Sequence, residues 1–215
     1  MSEKILIIGK NSKIAQELKK IIPKNCLIFS PSKKEWDMKN IIFDKKKKNI
    51  IETSNKIILL NSVISGKNFL QRTEFDILDQ IKINLISILR ICEIALNKNP
   101  KVRIAIMGSE SGIKGSYDII YALTKASLHK YVEERKIKYP EQQIFCVSPS
   151  TIIDAGITTR RKDQNNVKKS IKTNPKKRGI SCKEISNLLY SFLFEQTDYL
   201  SNTVIRVDGG KFSRM

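Results

Sequence analysis

Tyr121 and Lys125 stand four residues apart in Tyr121-Ala122-Leu123-Thr124-Lys125, a spacing that puts both side chains on one face of a helix. An unperturbed tyrosine titrates near ~10, so a phenol that exchanges protons near neutrality needs a neighbouring positive charge. A lysine one turn away supplies it. Taken alone, such a pair describes a solvated helix face equally well. Ser109 separates the two readings, because it follows the apolar run Val102-Arg103-Ile104-Ala105-Ile106-Met107-Gly108, where a strand should open into a loop. A hydroxyl there can hydrogen-bond an oxygen atom while a phenol gives it, or takes from it, a proton. The single histidine, His129, lies eight residues beyond Tyr121. That is too far along a helix to share the proton, and it is read as a structural or surface residue.

These residues need a scaffold, and the chain alternates strand-length apolar runs with longer segments of helical period. The runs fall at 5–8, 27–29, 57–60, 102–107, 144–147 and 204–207, with a very short strand expected at 36–38. Helical patterns fall near 12–22, 39–54, 75–96, 119–139 and 183–194. This alternation predicts an α/β fold, a parallel sheet with helices on both faces. Such a sheet binds ligands beyond the carboxyl ends of its strands, where the direction of winding reverses. Gly9, Asn61, Ser109 and Pro149 all fall at expected strand ends. Pro100 and Pro140 precede strands, and Pro23 closes the first helix. The Lys-, Arg-, Asn- and Gln-rich stretch 158–178 reads as a mobile insertion.

Composition narrows the class. A chain of 215 residues, 40% hydrophobic, is long enough for one substantial core and short for two. No apolar run reaches the ~20 residues of a membrane span, and the start Met1-Ser2-Glu3-Lys4 carries no signal-peptide pattern. A cytoplasmic protein is expected. Cys26, Cys92, Cys146 and Cys182 are widely separated, with no C-x-x-C pair, which argues against a metal or disulfide framework. The net charge of +19 raises the question of a nucleic-acid or anionic-membrane partner. Lysine far outnumbers arginine, however, and Lys45 to Lys48 sits among Ile41, Ile42, Phe43, Ile50 and Ile51, as the wet face of an amphipathic helix would. Nucleic acid is therefore not the expected partner.

The segment Ile5-Leu6-Ile7-Ile8-Gly9-Lys10-Asn11-Ser12-Lys13-Ile14-Ala15 reads as strand, tight turn and helix start. A helix N-terminus offers unpaired amides and partial positive charge, suited to a pyrophosphate. Only Gly9 remains of the three glycines of a dinucleotide fingerprint; Lys13 and Ala15 hold the other places. Lys13 fits only if the backbone there needs no positive φ. After the second strand comes Ser30-Pro31-Ser32-Lys33-Lys34, with no carboxylate before Glu35 to grip a ribose diol. Hydroxyls and lysines favour a phosphorylated ribose, hence NADP over NAD. An ordinary polar turn is the competing account. Asp37 either accepts a hydrogen bond from an adenine amino group or caps a helix starting near Asn40.

With these elements in order, the chain resembles the short-chain dehydrogenase/reductase family over nearly its whole length. The likeness rests on the combination of Gly9 to Ala15, Leu60-Asn61-Ser62-Val63, Asn84, Ser109-Glu110-Ser111-Gly112 with Gly115, Tyr121 with Lys125, Val147-Ser148-Pro149-Ser150, Arg178 to Ile185, and Val207-Asp208-Gly209-Gly210. The resemblance implies a Rossmann-type doubly wound parallel sheet, three-layer α/β/α, in a single domain over 1–215. It also implies an NAD(P)-dependent oxidoreductase that works as a homodimer or homotetramer. By the same resemblance Asn84, Ser109, Tyr121 and Lys125 form a catalytic tetrad. In it Tyr121 carries the proton, Lys125 lowers the Tyr121 pKa and holds the nicotinamide ribose, Ser109 orients the carbonyl, and Asn84 positions Lys125 and a water. Cofactor contacts are expected from Gly9, Asn11, Ser12, Lys13, Ile14, Ser30, Ser32, Lys33, Asp37, Asn61, Ser62, Val63, Pro149 and Ile152, together with Tyr121 and Lys125. The chain departs from the family in the glycine turn, in the Leu60 to Val63 stretch, where only Asn61 is clearly retained, at Ser150, which stands where a glycine follows the proline, and at two further points. Ser109 and Tyr121 are twelve residues apart, slightly tight, and the usual nicotinamide-anchoring threonine is replaced at Asp154 or Ala155, with Thr158 a substitute.

The segment 156–180 takes the place of the family's variable substrate lid. It carries Arg160, Arg161, Lys162, Lys168, Lys169, Lys172, Lys176, Lys177 and Arg178. So many cations suit an anionic substrate, such as a phosphorylated or nucleotide-linked sugar, or an acidic carrier presenting an acyl chain; a solvated loop in a lysine-rich protein suits them too. A small-molecule carbonyl or alcohol on a sugar or surface-polysaccharide precursor is favoured. A 3-oxoacyl-carrier-protein reductase and a catalytically silent dinucleotide-binding regulator are the alternatives.

Overall fold

The structure is a computed structural model that describes residues 2–161, 163–195 and 199–212. Among these residues β1 (Lys4–Ile8), β2 (Leu27–Phe29), β3 (Lys56–Leu59), β4 (Arg103–Met107), β5 (Gln143–Pro149) and β6 (Thr203–Val207) form one parallel sheet, in the order β2-β1-β3-β4-β5-β6. The helices are α1 (Lys13–Ile21), α2 (Lys45–Thr53), α3 (Glu74–Ile81), α4 (Ser87–Lys98), α5 (Ser111–Lys114), α6 (Ile119–Glu134), α7 (Gly156–Thr159), α8 (Gln164–Lys172) and α9 (Cys182–Phe194).

Alternation along the strands sorts the core into two layers. Leu6, Ile8, Ile57, Leu59, Ile104 and Ile106 face α2, α4 and α6, meeting Ile51, Ile88, Ile91, Leu128 and Val132. Ile5, Ile7, Ile58, Ala105, Phe145 and Val147 face α1 and α9, meeting Ala15, Leu18, Ile185 and Leu189. Full burial of each Ile or Leu stabilises by roughly 1.5–3 kcal/mol. A strand buried on both faces therefore reads as an unbroken apolar run, and that is why β1, β3 and β4 stand out in the sequence. The sheet is doubly wound, with three layers. Winding reverses between β1 and β3, whose register pairs Ile8 with Leu59, and a crevice opens beyond their carboxyl ends.

Several boundaries differ from expectation. The segment 36–38 forms a turn, not a strand, with Trp36 and Met38 buried beside Phe43. The Trp36 ring meets Phe43 edge-on, 5.4 Å between centroids, and packing of those side chains replaces ladder pairing. The helix expected over 39–54 shortens to α2 because Asp44 caps it, accepting from the Lys47 amide at 2.8 Å. Asp37 caps no helix; its Oδ1 accepts from the Lys39 amide within a turn. Helix α6 stops at Glu134, short of 139, where the Asn202 side-chain amide donates to the Val132 carbonyl at 2.8 Å and to that of Arg135. The expected mobile insertion is folded: α7 and α8 occupy it, and the Ile152 to Ile180 bridge closes its base, with the Ile180 amide donating to the Thr151 carbonyl at 3.1 Å. Lys162, expected among its cations, lies outside the described residues.

Candidate active site

A cavity of about 470 Å3 runs along the crevice, from the turn after β2 to the N-terminal part of α6, within the usual range for a small-molecule or cofactor site. At its centre Gly9 adopts φ +101°, and a Cβ there would stand 3.0 Å from Leu60 Cβ and 3.1 Å from its carbonyl carbon. Only glycine lets the β1 turn lie so close to the end of β3. Ser12 caps α1, its hydroxyl accepting from the Ala15 amide at 3.1 Å. Lys13 opens that helix without positive φ, so a lysine is tolerated where a glycine was expected. Its ammonium meets Asp154 at 2.9 Å. A helix N-terminus, a glycine-only close approach and an elongated cavity together fit a dinucleotide.

At the β2 end the wall includes Lys10, Pro31, Ser32, Lys33, Trp36 and Asp37. Glu35 turns back on its own loop, accepting from the Ser32 amide at 2.6 Å, and that bond holds its carboxyl below the usual range. Ser30 is a correction, for it lies outside the cavity wall, with its hydroxyl buried. Shielded by the protein itself, that hydroxyl offers no group to a ligand in the crevice. Gly9, Asn11, Ser12, Lys13, Ile14, Ser32, Lys33, Asp37, Asn61, Ser62, Val63, Pro149 and Ile152 all line the cavity, as do Ser109, Tyr121 and Lys125.

Of the four residues expected to be catalytic, Ser109, Tyr121 and Lys125 line the cavity and Asn84 does not. Tyr121 is buried, and loss of water holds its phenol above the ordinary value; the Ser109 and then the Ser62 hydroxyl pull it back down. Lys125 is fully buried, and burial lowers its ammonium to about 8. The ammonium donates to the Met107 carbonyl at 2.6 Å and stands 5.7 Å from the Tyr121 ring centroid. The phenol is thus not lowered ahead of ligand entry, because desolvation outweighs its polar neighbours. Asn84 is buried behind the wall. Its side-chain amide pairs with both backbone groups of Val63, donating to the carbonyl and accepting from the amide at 2.8 Å each, and so holds that loop rather than Lys125.

Asn84 reaches Val63 because residues Lys82–Ile86 form a π turn between α3 and α4. The Ser87 amide donates to the Lys82 carbonyl, five residues back, and the Ile83 carbonyl accepts from the Asn61 side chain at 2.6 Å and the Ser87 hydroxyl at 3.1 Å. A π turn inside a helix commonly marks a functional site. Two glycines let α6 come close beneath Ser109. A Cβ on Gly108 would stand 2.6 Å from both His129 Nε2 and Cys146 Sγ, and one on Gly112 would stand 2.8 Å from the Ala126 amide nitrogen. His129 is thus a buried structural residue under the site, lowered to about 4 by burial and then by Lys125.

Sequence reasoning missed Asp118. This buried carboxylate caps α6 by accepting from the Tyr121 amide at 3.1 Å, and also takes the Ser65 amide at 2.6 Å and the Gln80 side chain at 2.7 Å. Arg72 stands 3.4 Å away. Asp118 therefore ties α6 to the loop after β3. An aspartate three residues before Tyr121, just ahead of an apolar run, was a readable capping signal. Trp36 had no such signal, since its place in the wall depends on the turn that replaces the expected strand. Among the described residues, no three His, Cys, Asp or Glu side chains are grouped to hold a metal, and no helix is long and apolar enough to cross a membrane.

No protein-family model matches the sequence, and no curated protein matches it. Solved structures match in fold. A short-chain dehydrogenase family protein from Francisella tularensis subsp. tularensis SCHU S4 has a TM-score of 0.83 at 18% identity, with 98% of this chain and 99% of that one covered. Aldohexose dehydrogenase from Thermoplasma acidophilum gives 0.84 at 15% identity, over 100% and 97%. A 3-oxoacyl (acyl-carrier-protein) reductase from Agrobacterium tumefaciens C58, with NADP bound, gives 0.76 at 15% identity, over 96% and 93%.

Proposed function

We propose that this chain, which has the fold of the short-chain dehydrogenases/reductases, is an NAD(P)-dependent oxidoreductase acting on a carbonyl or alcohol of a small polar molecule. The observation that carries the reading is one cavity in which the Gly9 turn and the Ser109, Tyr121 and Lys125 side chains share a wall. A bound nicotinamide supplies hydride chemistry. Gly9, the amides after Ser12, and Lys13 hold its pyrophosphate, while Ser32 and Lys33 hold a 2′-phosphate. Asn61, Ser62, Pro149 and Ile152 line the nicotinamide end, and Lys125 takes the ribose hydroxyls there. The preference for NADP draws on Lys10 and Lys33, which line the cavity at the β2 end, where Glu35 is absent from the wall.

Tyr121 keeps its proton at neutral pH, since burial raises it, and a protonated phenol is the donor that an oxygen gaining charge requires in the reducing direction. Ser109 hydrogen-bonds the same oxygen and stabilises its charge. The polar wall near Tyr121, with Ser111, Thr151, Thr158 and two arginines, supports a sugar or surface-polysaccharide precursor. A second reading, an acyl chain on an acidic carrier, draws on the lysines of α8, Lys168, Lys169 and Lys172. A homodimer or homotetramer accounts for the exposed Phe75 and Leu78 of α3 and the exposed Ile119 and Leu123 of α6.

Fluorescence titration with NADPH and NADH tests the cofactor, with tighter NADPH binding expected. Keto-sugar nucleotides and acyl thioesters, followed by NADPH oxidation, test the substrate. Tyr121→Phe should lower turnover by roughly 100-fold or more, since general acid catalysis contributes about 10²–10⁴, while NADPH affinity persists. Unchanged turnover removes Tyr121 from the chemistry. Binding of NADPH with no turnover of any carbonyl favours the silent regulator.

A further inference from the structure

The cationic lid is not a uniform charged surface. Of its described cations, Arg160 and Arg161 line the cavity. Arg178 is drawn off to Glu184 at 2.7 Å. Arg161 is held on two sides. Its Nε and Nη2 donate to the two carboxylate oxygens of Asp163 at 2.8 and 2.5 Å, and its guanidinium lies 4.9 Å from the Tyr117 ring centroid. Tyr117 directly precedes the cap of α6, one turn before Tyr121. Asp163 engages the guanidinium side-on, and Nη1 makes no hydrogen bond among the described residues. The fork of donors that matches a carboxylate or phosphate is therefore fixed in orientation and partly free.

The charge balance around it is positive. Arg160 has no ion-pair partner among the described residues, and its guanidinium folds back to where a Cβ on Gly156 would stand 3.2 Å away. The nearby carboxylate in the cavity wall, Glu110, is taken by Lys114 at 2.7 Å and Lys211 at 3.2 Å. Two guanidinium groups thus reach the wall of the cavity that Tyr121 also lines, and Asp163 pairs with only one of them, Arg161. A neutral polyol needs no such arrangement, whereas an oxyanion does.

We propose that Arg161, oriented by Asp163 and Tyr117 and assisted by Arg160, binds a carboxylate or phosphate group of the substrate while Ser109 and Tyr121 receive its carbonyl oxygen. The assignment rests on the oxidoreductase reading and narrows its substrate to carbonyl compounds that carry an anion.

Calorimetric titration of the NADPH-loaded protein with inorganic phosphate and with malonate tests it, because cofactor already fills its own phosphate sites. Wild-type protein should bind one or both anions, the preferred one separating a phosphorylated substrate from a carboxylic acid. Arg161→Gln should weaken that binding on the order of 10-fold or more, with NADPH affinity within about twofold of wild type. Arg161→Lys, which keeps the charge but loses the fork, should fall between them and guards against a folding defect in the glutamine variant. Anion binding that survives in Arg161→Gln overturns the proposal, as does a matching loss of NADPH affinity, which would give Arg161 to the cofactor. If wild-type protein binds the anions through Arg161 but takes up no NADPH, the anion site stands and the oxidoreductase reading falls.

Discussion

At the scale of the residue, burial sets the protonation states. Tyr121 is raised and Lys125 lowered to about 8 for the same reason, since a charge of either sign loses its water. The spacing of Tyr121, Lys125 and Ser109 was legible in the chain; the direction of the Lys125 ammonium, toward Met107, was not, because Met107 arrives from a separate strand. His129 gives a clean test, being the only histidine. Its imidazole should titrate near 4 rather than 6.5 in an NMR pH series; a midpoint near 6.5 would mean that it is solvated. With the folded value below the unfolded one, the unfolded chain binds the extra proton between those limits. The stability that neutral His129 contributes should therefore be complete above about 6.5 and be lost as pH falls toward 4.

At the scale of the element, the site depends on how α6 is started and how the α3 and α4 helix is broken. Asp118 does the first, with a side chain only 1% exposed against an Arg72 side chain 3% exposed. Replacing it by alanine strips the cap from α6, takes the acceptor from the Ser65 amide, and leaves Gln80 with the Val63 carbonyl and the buried Arg72 with the Asp76 carbonyl but no carboxylate. Asp118→Ala should cost about 3–5 kcal/mol in urea unfolding, and Asp118→Asn clearly less, since an amide oxygen still caps the helix. Equal losses would assign the effect to charge alone. The helical period over 75–96 was readable, but the π turn within it was not, because it is fixed by the Asn61 side chain bonding Ile83 from the end of β3. The expected strand at 36–38 failed for a related reason: apolar Trp36 and Met38 found burial in a turn against Phe43, and no neighbouring strand was required.

At the scale of the whole molecule, one apolar face is left uncovered: Phe75 is 79% and Leu123 56% exposed, on adjacent helices α3 and α6. Large exposed apolar side chains grouped on neighbouring helices mark association surfaces. If the proposed dimer or tetramer forms through this face, Leu123→Lys should give a smaller species in analytical ultracentrifugation; an oligomer of unchanged mass would remove this face from the interface, and a monomeric wild type would remove the oligomer itself. The excess of lysine, by contrast, tells little about partners until the fold selects which cations meet the cavity, and it selects Arg160 and Arg161 in the lid. The sequence by itself determined the alternation of strands and helices, the glycine turn at Gly9 and the chemical pair at Tyr121, because periodicity, turn chemistry and local spacing act over a few residues. Tertiary structure alone decided that Asn84 holds Val63, that Asp118 also ties α6 to Ser65 and Gln80, that Ser30 lies outside the cavity wall, and that Arg161 stands over Tyr117. Each of these depends on side chains brought together from distant parts of the chain, where packing and desolvation, rather than local pattern, choose the partner.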